Sequence, residues 1–139
     1  MPRNGEQGFS LIELLVVIMI VGILAAIALP AFLSQRTKAR DTDAKSSAVI
    51  ATRVLEEYHQ DHDGFTGVNA AALIDIEPSL ASARNLAVVE TAAGYRLTVD
   101  SASGTEGGGP FVIERTGPGQ TDRTCGAPGQ GGCPRSGVW

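Results

Sequence analysis

From Leu14 to Gln35 the chain carries no charged residue, and Leu14–Leu33 is twenty residues nearly all apolar, LLVVIMIVGILAAIALPAFL. A helix rises about 1.5 Å per residue, so this run reaches about 30 Å, the thickness of a bilayer's hydrocarbon core. No polar stripe of 3.6-residue period interrupts it, which excludes the half-buried helix of a soluble domain. Beyond Leu33 the pattern changes without a break. Ala44, Ala48, Ala51, Leu55 and Tyr58 recur at intervals of three or four, with Val54 beside them. That spacing predicts the same helix continuing as an amphipathic one to about His62, with Gly64 as its stop. No Pro or Gly falls between Ala31 and Asp63. The outcome is one helix of about fifty residues, roughly 80 Å long.

After Gly64 the pattern shortens. Ala70–Ile76 reads as a short helix with Asn69 as N-cap and Pro78 beyond its end. Leu86–Thr91 is a candidate strand. Tyr95, Leu97 and Val99 alternate with Arg96, Thr98 and Asp100, the clearest strand pattern in the chain. Ala93-Gly94 suggests a hairpin between these two. Ser101–Pro110 reads as a loose Gly-rich loop, Phe111–Arg115 as a third strand, and Thr116–Trp139 as an aperiodic Gly/Pro tail in which Val138-Trp139 folds back onto the head. The expected fold class is α+β: a long N-terminal helix, membrane-spanning in its first half, packed against a small antiparallel sheet.

Glu13 stands against the start of the apolar run. A carboxylate there costs about 2.5–3.5 kcal/mol at mid-bilayer and less near the interface, so a plain anchor gains nothing from it. It either snorkels to the interface or asks for a cation. A secretory signal, the other bland reading, needs a shorter apolar region followed by small residues, which Ala25, Ala26, Ala28 and Ala31 imitate.

The string around this acid, Gly8-Phe9-Ser10-Leu11-Ile12-Glu13-Leu14, resembles the cleavage motif of type IV prepilins and pseudopilins. The likeness runs on through the apolar stretch to Pro30, where that family commonly has a proline. It is strong over about the first 40 residues and extends over the rest only in outline. The resemblance implies a leader, residues 1–8, removed by prepilin peptidase between Gly8 and Phe9, and N-methylation of the Phe9 amine. It implies a charge pair between Glu13 and the Phe9 amine of a neighbouring subunit. It also implies a filament core or transmembrane half over 9–35, an amphipathic half over 36–63, and a globular head over 64–139. Pro30 removes a backbone donor and is expected to kink or loosen the helix near Ala26–Pro30. Gly22 and Ala26 form a small-xxx-small pair that permits close helix approach.

On that resemblance the chain is a structural subunit of a pilus-like surface filament. Its partners are further copies of itself, prepilin peptidase, an assembly platform with its motor, and membrane lipid before assembly. The alternatives are a pseudopilin of a type II secretion or DNA-uptake system, and, from another class, an anchored or secreted binding module. The expected place is the inner membrane with the head outside, then the cell surface. The basic residues Arg36, Lys38, Arg40 and Lys45 outnumber Arg3 and the amino terminus and, counted alone, put the head in the cytoplasm. The family and the cysteines point the other way. Cys125 and Cys133, the only cysteines, read as a disulfide in an exported head, closing a loop worth about 2.6 kcal/mol. Their spacing lacks the form of zinc or redox motifs.

Composition adds exclusions. Net charge is −4 with pI about 5.1 and 5% aromatics, so there is neither a basic footprint nor a stacking platform for nucleic acid. The charge run at 36–45, with Asp41 and Asp43 among its bases, reads as a solvated helix face with a possible part in subunit contacts. His59 and His62 share a helix face beside Asp61 and Asp63, yet a helix C-terminus favours histidines without any metal. No nucleophile with a paired base, carboxylate dyad or phosphate-cradling loop is present, and neither enzyme activity nor a cofactor or metal is expected.

Overall fold

The structure is a computed structural model that describes residues 8–139; residues 1–7 of the expected leader lie outside the described residues. Helix α1 is continuous from Leu11 to His62, 52 residues with Pro30 inside it. The described residues fall into two compact units that divide after Gln35. The first is the apolar part of α1, in which every residue is exposed.

The second unit begins at Arg36 and holds the core. Ala44, Ala48, Ala51, Val54, Leu55 and Tyr58, the stripe expected from the spacing, are all buried. They share one apolar cluster with Tyr95, Leu97, Val99, Phe111 and Ile113 of the sheet. Helix α1 ends where Asp63 takes a left-handed φ of 53°, so the chain leaves the helix one residue before the expected Gly64. Helix α2, Ala70–Ile76, is capped as expected: Asn69 Oδ1 accepts from the Ala72 N–H at 3.1 Å. It places Leu73 in the core, and a 3₁₀ turn over Pro78–Ser82 adds Leu80.

The sheet has four antiparallel strands in simple order: β1 (Ala87–Thr91), β2 (Gly94–Val99), β3 (Phe111–Gly117) and β4 (Gln120–Cys125). Val88 lies opposite Leu97, Leu97 opposite Ile113, and Val99 opposite Phe111, so the inward rows are apolar across three strands. The fourth strand corrects the three-strand expectation. Gln120–Thr124 are exposed on both faces, so no hydrophobic alternation marks them. Pairing with β3 and the tight turn Gly117-Pro118-Gly119-Gln120 place the strand instead. Pro118 supplies the fixed φ and Gly119 the positive φ of 71° that a type II turn needs.

The glycine-rich segments are held by an acid. Asp41, expected on a solvated face, is completely buried. One carboxylate oxygen accepts from the Ser101 hydroxyl, and the other from the amides of Gly108 and Gly132 at 2.7 Å each. One turn along α1, Lys45 donates to the Gly132 carbonyl at 2.6 Å, so both polar ends of Gly132 are gripped by the helix. The approach is too close for side chains. A Cβ on Gly107 would lie 2.7 Å from Asp41 Oδ1, and one on Gly132 2.9 Å from Asp41 Cβ. The Cys125–Cys133 disulfide is formed, with the two Cα atoms 5.9 Å apart. Gly126 and Ala127 then donate to the carbonyls of Pro110 and Gly108.

Trp139 folds back as expected. Its indole N–H donates to the Thr124 carbonyl at 2.8 Å, and its ring meets Phe111 edge-on. The Lys45 ammonium lies 5.5 Å from its centroid and the Arg123 guanidinium 5.3 Å. Arg115, buried at the end of β3, pairs with Glu56 at 3.3 Å and covers the Phe65 ring. Phe65 in turn meets Tyr95 edge-on at 5.0 Å between centroids. Burial pushes the Tyr95 phenol above its ordinary 10.0, with the Thr52 hydroxyl pulling the other way. The Thr52 hydroxyl itself donates to the Ala48 carbonyl at 2.9 Å, and the Tyr95 hydroxyl makes no hydrogen bond of ordinary geometry.

Two outcomes follow. Asp41→Ala strands the buried Gly108 amide and the half-buried Gly132 amide and is expected to cost about 3 kcal/mol, read by urea unfolding of the full chain in detergent. Trp139 is the only tryptophan, so its fluorescence reports release of the tail directly. Unchanged unfolding would refute the grip. For Tyr95, a raised folded pKa means its stabilising contribution is complete below 10.0 and lost as pH rises through the folded value. Absorbance titration at alkaline pH should show one tyrosine ionising late, and Tyr95→Phe should remove that step.

Candidate assembly site

The residues that the sequence singles out gather at the start of α1. Ser10 is the last residue before the helix, and its carbonyl accepts the Leu14 N–H at 3.2 Å. Its own backbone N–H donates to Glu13 Oε2 at 2.9 Å. Ser-x-x-Glu at this position forms the returning half of a capping box: the third helical residue satisfies the N–H of the capping one. The acid also lies in the first turn, where the helix dipole favours negative charge. The sequence presents Glu13 as a charge that either snorkels to the interface or asks for a cation, and the structure adds its bond to the Ser10 amide. The S-x-x-E spacing that signals the box was legible and was not read.

Phe9 is 85% exposed, and Gly8 stands ahead of it in non-helical chain. A Cβ placed on Gly8 would meet nothing within 4 Å, so this chain's own packing does not demand glycine there. From Leu11 to Leu33 the large apolar side chains are 47–82% exposed. Among the described residues this is one helix long and apolar enough to cross a membrane. Such a surface requires lipid or other protein around it. Gly22 lies on it with open space where a side chain would stand. Helical backbone continues on both sides of Pro30.

The two histidines are occupied differently. His62 stacks on Tyr58 with centroids 4.0 Å apart, its Nδ1 3.0 Å from the Tyr58 carbonyl, and His59 packs on Phe65. Among the described residues no three His, Cys, Asp or Glu side chains gather as metal ligands would.

The chain thus joins a long exposed apolar helix start, with an acid capped in its first turn, to a small disulfide-bearing α+β head. Residues 3–29 match the family model described as the prokaryotic N-terminal methylation motif. Fimbrial protein Q of Moraxella bovis is 38% identical over 128 residues, covering 88% of this chain and 71% of that protein. The type IV wide pilus major component PilA4 of Thermus thermophilus is 43% identical over 74 residues, 53% of this chain and 55% of its own. The type IV major pilin protein PilE1 of Neisseria gonorrhoeae is 34% identical over 99 residues, 71% of this chain and 60% of that protein. The chain belongs to the type IV pilin family. It spans 55–71% of the length of these three relatives. No solved structure matches it significantly.

The capping box makes a separable prediction. Glu13→Gln keeps an oxygen for the Ser10 N–H, whereas Glu13→Ala removes it and should fray the first turn by about 0.5–1 kcal/mol. Amide exchange at Ser10–Glu13 in micelles should accelerate in the alanine variant alone. Equal exchange in both would show that the box contributes nothing.

Proposed function

We propose that this chain is a structural subunit of a type IV pilus filament and does no chemistry of its own. The observation that supports this best is the uninterrupted apolar face of α1, exposed from Leu11 to Leu33 and headed by a single acid. In this reading the precursor enters the cytoplasmic membrane through that segment with its head outside. Prepilin peptidase cuts between Gly8 and Phe9 and methylates the new Phe9 amine, and a platform and motor then draw the subunit into the filament. The relatives named as major pilins and fimbrial proteins favour a surface filament over a secretion pseudopilus. The disulfide favours an oxidising site for the head, against the count of basic residues after the apolar segment.

The physical driving force is transfer of the apolar face from lipid to the faces of other copies, where close packing and shape decide the gain. Glu13 sets the register. An unpaired carboxylate inside a helix bundle costs several kcal/mol, and a terminal amine on Phe9 of an adjacent copy neutralises it. Its capping bond to Ser10 leaves further lone pairs of the carboxylate open to that amine. Pro30 supplies a point where one helix hydrogen bond is already missing, so unwinding near Ala26–Pro30 on assembly is least costly there.

N-terminal sequencing with intact mass on material sheared from the cell surface tests the reading. The expected product starts at Phe9 and is one methyl group heavier than the bare polypeptide. A start at Met1 would mean an uncut membrane anchor, and one near Ala31 a secreted head; either overturns the filament reading.

A further inference from the structure

The charges of the second unit are sorted along α1. From Arg36 to Arg53 there are five basic residues against two acids, and one of these acids, Asp41, is buried and fully engaged. Between Arg53 and Arg84 there are six acids and no lysine or arginine. Arg36 and Lys38 at one end and Glu57, Asp61 and Asp63 at the other are exposed. The ion pairs formed among the described residues are Arg96–Glu114 and Arg115–Glu56, so none of these five charges is paired among the described residues. Opposite charges separated along one axis attract a second copy shifted along that axis and repel one in register.

We propose that the basic collar of one copy, Arg36 and Lys38, docks against the acidic end of a second, parallel copy, Glu57 and Asp61. The centres of the two groups are about twenty-two residues apart, so the copies are offset by about 33 Å along the helix. The contact joins two different patches of the same molecule. It is therefore heterologous, and repeats without closing into a dimer, as a filament requires. This deepens the filament reading and rests on it: the Glu13–Phe9 pair sets the register at the helix starts, and the charge sorting adds a second contact between the heads of copies further along. Salt weakens such a contact, since the charges lie at the surface.

Full-length chains carrying Arg36→Glu with Lys38→Glu, Glu57→Lys with Asp61→Lys, or all four changes should replace the wild type in its own cells. Sheared filament is then measured against processed, cell-associated subunit. Each reversal alone is expected to lower filament yield by about tenfold or more, and the fourfold variant to restore it to within about threefold. Where a reversal depletes the subunit itself, the milder pair Lys38→Gln and Asp61→Asn takes its place. The double variant should then lose no more than either single one. Reversals that assemble like the wild type, a fourfold variant no better than its parents, or additive losses in the milder pair each overturn the pairing. A wild-type chain that forms no filament fails the reading beneath it, and the pairing falls with it. Normal wild-type filaments with indifferent reversals defeat the pairing alone.

Discussion

One buried carboxylate organises the head. The chain from Ser101 onward contains long stretches of glycine and proline that cannot build a core, yet they must end in defined positions. Asp41 supplies the definition by accepting from Ser101, Gly108 and Gly132, which lie 60, 67 and 91 residues further along the chain. A buried acid is costly unless its oxygens are satisfied, so a single arrangement of the three segments is much better than any other. Lys45, one turn along, closes the same grip from the carbonyl side while its ammonium lies over the Phe111 ring. The disulfide shortens the loop, but the acid decides where the loop lies.

Much of this was legible beforehand, and the reasons differ by element. The long helix was readable because its apolar stretch and its alanine stripe are both dense and uninterrupted by Gly or Pro. The central strands, β2 and β3, were readable because one face is apolar and the other polar. Strand β4 was not, because pairing and a turn hold it while both of its faces meet water. Asp41 escaped because a stripe read for apolar residues passes over an acid, although it sits three residues before Ala44 on the same face. Two of its three partners are backbone amides of glycines, which leave no side-chain pattern to find.

The assembly segment shows the complementary situation. Its apolar run and cleavage string were the most legible features of the sequence, but their chemistry is intermolecular and leaves few contacts in one chain. What the isolated chain does show is local: Glu13 already has a partner in the Ser10 amide. A carboxylate held in place by its own helix end is oriented before any neighbour arrives, which lowers the ordering cost of a later charge pair.

The attachment of the disulfide loop has a further consequence. Asp41 and Lys45 hold it through the amide and carbonyl of Gly132, not through any side chain of the loop. Ala127, Pro128, Gln130 and Arg135 point their identities elsewhere, and none of their side chains is part of the grip. The fastening and the displayed surface are therefore chemically independent. Such a loop can change what it presents to the outside world while the way it is moored to the helix stays the same.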